Sequence, residues 1–239
     1  MPRLFAISDV HLSECNPDKA MDIFGPRWEG HAERLKTAWR DTVEDGDTVL
    51  IAGDISWAMR LSDAAMDLEL LHSLPGRKIL LRGNHDYWWQ SYSKVLAALP
   101  PSVFAIQNNA VDLGFCAVCG TRGWLIPKGA AFSEKDDRRI YERELQRFRL
   151  SLEALPNDKP AVAMLHYPPF TESGEGSGFT ELIREYPKVK LVVYGHLHNK
   201  VEGGCPAITR DGVRYVLSSA DYLNFTPALL LTEKPQQDV

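Results

Sequence analysis

The chain has 239 residues, 44% of them hydrophobic and 25% charged, with 27 Lys and Arg against 32 Asp and Glu. Normal apolar content and a net charge of only −5 exclude a disordered chain. Without a basic excess to neutralise phosphates, binding to a nucleic-acid polymer is not expected, whereas a small phosphorylated substrate is compatible.

Along the chain, apolar runs and helical patterns alternate. Residues 4–8 read as a strand, and the apolar start is too short for a signal peptide. A long loop over 13–30 follows, containing Cys15, Pro17, Gly25, Pro26 and Trp28. The spacing predicts a helix over 31–43 and a strand over 48–52. A second helix over 63–74 has Ser62 as its N-cap and stops at Pro75-Gly76. A strand over 78–82 precedes a helix over 87–99, with Asp86 as its cap and Pro100-Pro101 beyond it. Tyr87, Trp88, Trp89 and Tyr92 in that helix read as core rather than as a base-stacking platform. A strand over 103–107 comes next, then two strands within 110–125 joined near Gly114.

Cys116 and Cys119 form a C-x-x-C in this last stretch. Strand positions three apart face opposite ways, so two half-buried thiols are expected there, not a redox or zinc pair. With Cys15 and Cys205, the four cysteines are too few and scattered for a disulfide scaffold. The longest helix covers 133–155, with Leu145, Phe148, Leu152 and Leu155 as its apolar stripe. Its charge run over 134–149 reads as a solvated face with i,i+4 pairs. A strand over 161–165 leads to a second long loop, 168–179, rich in glycine. A strand over 191–194 is followed by a hairpin over 207–218 that turns at Asp211-Gly212, its second arm at 213–218, and by a strand over 228–231. The mixture argues for an α/β fold with at least one antiparallel element, in a single domain over 1–239. No stretch approaches the roughly 20 apolar residues that cross a bilayer, so no membrane is expected and the chain reads as cytoplasmic.

Five short motifs sit at or just after predicted strand ends: Ser8-Asp9-Val10-His11, Ala52-Gly53-Asp54, Arg82-Gly83-Asn84-His85-Asp86, Leu165-His166-Tyr167 and Tyr194-Gly195-His196-Leu197-His198. The carboxyl ends of strands in open α/β sheets are where ligands bind, so the five imply one site. Asp9, Asp54 and Asn84 offer oxygen, while His11, His166, His196 and His198 offer imidazole nitrogen. Such mixed donors suit Mn, Fe, Zn or Ni better than Ca. Pairs two apart, Asp9 with His11 and His196 with His198, point to one side of an extended chain and could each share a cation. Seven ligands exceed one tetrahedral site and match two divalent ions with one carboxylate bridging. Gly53, Gly83 and Gly195 each precede a ligand, where backbone freedom and space are needed.

The ordered set D-x-H, G-D, G-N-H-D, H and G-H-x-H resembles the calcineurin-like metallophosphoesterase superfamily, over residues 9–198. The resemblance implies a sandwich of two mixed β-sheets flanked by helices. It implies that Asp9, His11 and His198 hold one metal ion, that Asn84, His166 and His196 hold a second, and that Asp54 bridges them. It further implies that a metal-bridging hydroxide attacks a phosphomonoester or phosphodiester, with His85 contacting the phosphate and acting as general acid. One departure is that many relatives carry an Asp three residues after the G-D aspartate to orient that histidine, and here Trp57 stands there. Asp-Arg-Gly does not follow the G-D motif either, so a phosphoprotein phosphatase is disfavoured and a small stand-alone bacterial phosphohydrolase fits better. A specialised phosphodiesterase or pyrophosphatase acting on a nucleotide or lipid-linked phosphate is the alternative. A non-catalytic scaffold of the same fold would leave seven filled ligand positions without a reason. His31 and His72, outside the motifs, read as ordinary. Arg27 and Arg122 are candidate phosphate contacts, and the loops 13–30, 120–124 and 168–179 are candidate determinants of substrate choice.

Overall fold

Alternation along β-strands and helical periodicity sort the apolar residues into three layers of core. The computed structural model describes residues 1–16, 21–198 and 207–233; Pro17 and Cys205 lie outside the described residues. In chain order the first half runs β1 (Arg3–Ile7), α1 (His31–Thr42), β2 (Thr48–Ile51), α2 (Leu61–Ser73), β3 (Arg77–Leu81), α3 (Tyr92–Ala98) and β4 (Val103–Ile106). The second half runs β5 (Ala110–Asp112), β6 (Ala117–Thr121), α4 (Glu134–Glu153), β7 (Ala161–Leu165), α5 (Gly178–Glu185), β8 (Val189–Tyr194), β9 (Ala207–Arg210), β10 (Val213–Leu217) and β11 (Ala228–Thr232).

The strands form two mixed sheets, of order β11-β1-β2-β3-β4 and β5-β6-β7-β8-β10-β9. In the first, β1 to β4 are parallel and β11 closes one edge antiparallel to β1. In the second, β6, β7, β8 and β10 are parallel, with β5 and β9 antiparallel at the edges. Leu4 and Ala6 of β1 face the second sheet, whereas Phe5 and Ile7 face a core that also takes Leu35 and Trp39 of α1. That is the period-two pattern of a strand buried on both sides. Leu50, Ile79 and Leu81 meet Val118, Val162, Met164 and Val193 between the sheets. Phe148 and Leu152 of α4 and Phe179 and Ile183 of α5 cover the outer face of the second sheet. The result is an α/β/β/α sandwich. No helix among the described residues is long and apolar enough to cross a membrane.

Several local expectations change. Helix α2 begins at Leu61 with Arg60 as its uncapped N-cap, and Ser62 Oγ instead donates to Asp63 Oδ1. Helix α3 begins only at Tyr92, so Asp86 does not cap it. Trp88 and Trp89 are buried as core, but on irregular chain, and Tyr87 is exposed. The charged face of α4 has its i,i+4 pair, Arg138 with Glu134 at 2.6 Å, yet Asp137 and Glu144 of the same run are buried. Helix α5 was not expected; Ser177 caps it reciprocally with Thr180. Cys119 and Cys116 do fall on opposite faces of one strand region, in different cores, and burial pushes both thiols up to about 12. Asp211 (φ 53°) and Gly212 (φ 75°) make the expected turn between β9 and β10.

Candidate metal centre

Parallel pairing puts the ends of β1, β2 and β3 side by side, and those of β7 and β8 opposite them. The chain leaving β1 and β2 keeps pairing past the strands, with Asp9 N donating to Gly53 O and His11 N to Asp54 O at 2.9 and 3.0 Å. Gly195 N donates to His166 O at 3.1 Å on the other sheet. Strain is concentrated here, since Asp9, His11, Asp54 and His196 have φ of 55°, 44°, 53° and 70°. Non-glycine residues in that region cost on the order of 1–3 kcal/mol each and persist only where the surroundings impose them. Backbone freedom was expected of the three glycines, but only Gly53 among them has a positive φ, 96°. Gly83 and Gly195 serve by their lack of bulk instead. A Cβ on Gly83 would collide with the Asp54 carboxylate, and one on Gly195 with the Asp9 carboxylate.

The seven expected ligands converge. Asp54 Oδ2 lies 3.8 Å from His11 Nε2 and 3.5 Å from His166 Nε2. Asn84 Oδ1 lies 2.6 Å from His166 Nε2 and 2.9 Å from His196 Nδ1. Asp9 Oδ1 lies 3.7 Å from His198 Nε2. Ligand atoms of Asp9, His11 and His198 all fall within 4.8 Å of one another, as do those of Asp9, Asp54 and His166. The rings of Gly195-His196-Leu197-His198 turn to different oxygens, His196 Nδ1 to Asn84 and His198 Nε2 to Asp9, and the positive φ of His196 breaks the extended alternation between them.

The donor chemistry fits divalent cations. His166 Nδ1 is 3.0 Å from Ala52 O and His198 Nδ1 is 3.1 Å from Asp221 Oδ1, so both donate outward and leave Nε2 bare. With Nδ1 donating to Ala52 O and burial lowering the imidazole, the His166 Nε2 lone pair faces the Asn84 amide oxygen, which also only accepts. Acceptor facing acceptor is a conflict that a cation resolves. Burial also raises Asp9, and it raises Asp54, helped by the nearby Asp86 charge, to about 8. Burial holds His11 well below its ordinary value, and its Nδ1 is buried without a hydrogen bond. Bare imidazoles and crowded carboxylates form a cluster that a bound metal would deprotonate and complete.

Two aspartates that the motif reading did not assign to the site support it. Asp221 is buried and fixes His198; burial opposes protonation there, but Asp221 and Asp9 raise His198 overall. Its only sequence sign is a place just after β10 in Ser218-Ser219-Ala220-Asp221, at the same sheet edge. Asp86, expected as a helix cap, instead ties two motif loops together. Its carboxylate accepts from Asp54 N, Ile55 N, Ser56 N, Gly83 N and Trp88 Nε1 at 2.7 to 3.2 Å.

His85 N donates to Asp54 Oδ1 at 2.8 Å. Its ring packs 4.7 Å from Trp57 and 5.8 Å from His11, and its Nδ1 is buried without a hydrogen bond. Trp57 itself stacks on His11 at 4.9 Å. With Trp57 at this position, an aromatic face packs against the ring. Of the histidines read as ordinary, His72 pairs with Ser102 Oγ at 2.7 Å, far from the motifs, but His31 lies 3.3 Å from His11 O. His31 is a buried support of the site rather than a ligand.

Arg27 lies at the rim, half exposed, 4.0 Å from Asp221 Oδ2. Arg122 O accepts from His166 N and Tyr167 N at 3.0 Å, while its guanidinium stacks on Trp124 at 4.4 Å. A cleft of about 230 Å³ opens beside His196, walled by Trp124, Phe132, Tyr167 and Phe170. It draws on the 120–124 and 168–179 loops. The described part of the 13–30 loop instead backs the centre, with Trp28 buried 5.5 Å from His198.

Comparisons with known proteins identify the family and the fold. Residues 2–200 match the family model described as calcineurin-like phosphoesterase. A curated, uncharacterised protein of Methanocaldococcus jannaschii is 29% identical over 92 residues, which is 38% of this chain and 51% of that one. The match thus spans about half the length of that relative. Among solved structures, phosphopantetheinyl hydrolase of Mycobacterium tuberculosis is similar with a TM-score of 0.61 and 17% identity, over 100% of this chain and 98% of that one. The TT1561 protein of Thermus thermophilus gives 0.52 and 15%, over 90% and 88%. At such identities the two structures show a shared fold.

Proposed function

From the premise that this chain belongs to the calcineurin-like phosphoesterase family, we propose that it hydrolyses a small phosphomonoester or phosphodiester at a centre of two divalent cations. One observation carries the reading: Asp54 Oδ2 faces His11 Nε2 and His166 Nε2 together, one nitrogen from each sheet. Asp9, His11 and His198 would hold one cation, Asn84, His166 and His196 the other, and Asp54 both. The cations would polarise phosphoryl oxygens and lower the pKa of water in the site. His85 would hand a proton to the leaving oxygen from Nε2, since its Nδ1 is sealed in. Trp57 would keep that ring in place by packing. The aromatic cleft beside His196 suits an apolar or aromatic leaving group, which favours an organic ester over an inorganic one. A nucleotide or lipid-linked ester satisfies the same walls.

The test is hydrolysis of p-nitrophenyl phosphate and bis-p-nitrophenyl phosphate by the purified protein with Mn²⁺. Asp54→Asn should abolish it, with loss of bound metal by elemental analysis. Activity surviving in that variant, or none with any divalent metal, would falsify the mechanism.

A further inference from the structure

A second cavity, of about 240 Å³, lies at the carboxyl ends of β3, β4 and β6, on the same sheet edge as the metal centre. At about 30 Å³ per water it has room for a hydrated oxyanion. Three arginines line it, Arg82, Arg122 and Arg147, against one acidic residue, Glu144. Glu144 is already committed. It accepts from Thr121 Oγ1 and Arg147 Nη1, each at 2.7 Å, and lies 3.6 Å from Arg122 Nη2. Arg82 has no share in it, and its side chain makes no hydrogen bond or ion pair with any described residue. The Nε–H groups of Arg82 and Arg122 are both buried without an acceptor.

Buried donors without acceptors cost free energy, and so do like charges brought together, unless a ligand offsets both. A tetrahedral oxyanion accepts from several guanidinium N–H groups at once. The cavity adjoins the centre through the chain itself: Arg82 stands two residues before Asn84, and Arg122 O receives the N–H of His166. We propose that this cavity binds a second phosphate group of the substrate whose ester is cleaved at the metal centre. The proposal rests on the phosphoesterase reading and narrows it to substrates carrying two phosphates.

Two measurements test it separately from that reading. Inorganic phosphate is titrated calorimetrically into the full chain after chelator treatment. One site is expected, retained in Asp54→Asn and weakened about tenfold or more in Arg147→Gln and Arg82→Gln, the effect of losing a charge-assisted contact. The absence of a site, or one lost with Asp54 and untouched in both arginine variants, overturns the proposal. In the second measurement, p-nitrophenyl butyl phosphate is compared with the same diester carrying a phosphate at the far end of the butyl chain, with Mn²⁺. The wild type should prefer the bisphosphate about tenfold or more in kcat/KM, and Arg147→Gln should lose that preference. Equal rates on both overturn the subsite and leave the phosphoesterase reading standing. Hydrolysis of neither counts against that reading, and the phosphate titration still decides the cavity.

Discussion

Replacing Asp86 by Asn changes one atom in a side chain that no cation would touch. The carboxylate places Oδ1 against Ile55 N, Ser56 N and Trp88 Nε1, and Oδ2 against Gly83 N and Asp54 N. An amide has one oxygen. Its better rotamer keeps the three contacts of Oδ1 and turns NH₂ on two buried N–H donors. Each lost charge-assisted bond leaves a donor unsatisfied, at about 1–3 kcal/mol, so the change costs roughly 2–6 kcal/mol. For a chain of this size about 1 kcal/mol shifts Tm by about 2–4 °C, so Tm should fall by roughly 5–20 °C in circular dichroism. The two orphaned donors flank Asp54 and Asn84, so metal content should fall too. A Tm within about 2 °C of the wild type, with full metal content, would refute the idea that this carboxylate ties the loops together.

His85→Ala should retain metal and slow turnover by roughly 10²–10⁴-fold, the range for a general acid; an emptied metal site would contradict its role. Asp221→Ala should weaken metal binding by about 10–100-fold in a chelator competition, because it frees the His198 ring; unchanged affinity would show that the contact is incidental. Burial lowers the Lys78 ammonium to about 8 from 10.5, while its Nζ donates to Leu74 O and Gly76 O. The folded state therefore binds fewer protons than the unfolded one between those pH values, and stability rises with pH there. Denaturant unfolding should show wild type gaining on Lys78→Met from pH 8 to 10.5, and parallel curves would contradict the assignment.

The strands were legible because parallel strands buried on both faces appear as unbroken apolar runs, and the ligands were legible because each follows such a run within a few residues. Contacts made across the chain were not. Asp86 looked like a cap because it precedes aromatics at helical spacing. In the fold Trp88 Nε1 turns back to that carboxylate, the chain stays irregular, and α3 starts five residues later than expected. Helix α5 is short and begins at Gly178, so glycine hid a start that Ser177 and Thr180 specify. Glu144 reads as solvated among its charged neighbours, and its burial comes from contacts such as that with Thr121, 23 positions away. Asp221 stands alone in sequence, and its partner His198 is also 23 positions off.

The candidate ligands divide between the two leaves of the sandwich, with Asp9, His11, Asp54 and Asn84 on one and His166, His196 and His198 on the other. Between the leaves lies an apolar seam of side chains such as Leu50, Ile79, Met164 and Val193, none of which is a ligand. Slippage along that seam would spread one set of ligands from the other. A truncation such as Val193→Ala would thus reach the chemistry as a change in register rather than as a lost contact. A cation gripped from both leaves would work as a clasp, so the alignment that folds the protein and the alignment that would arm it are one condition.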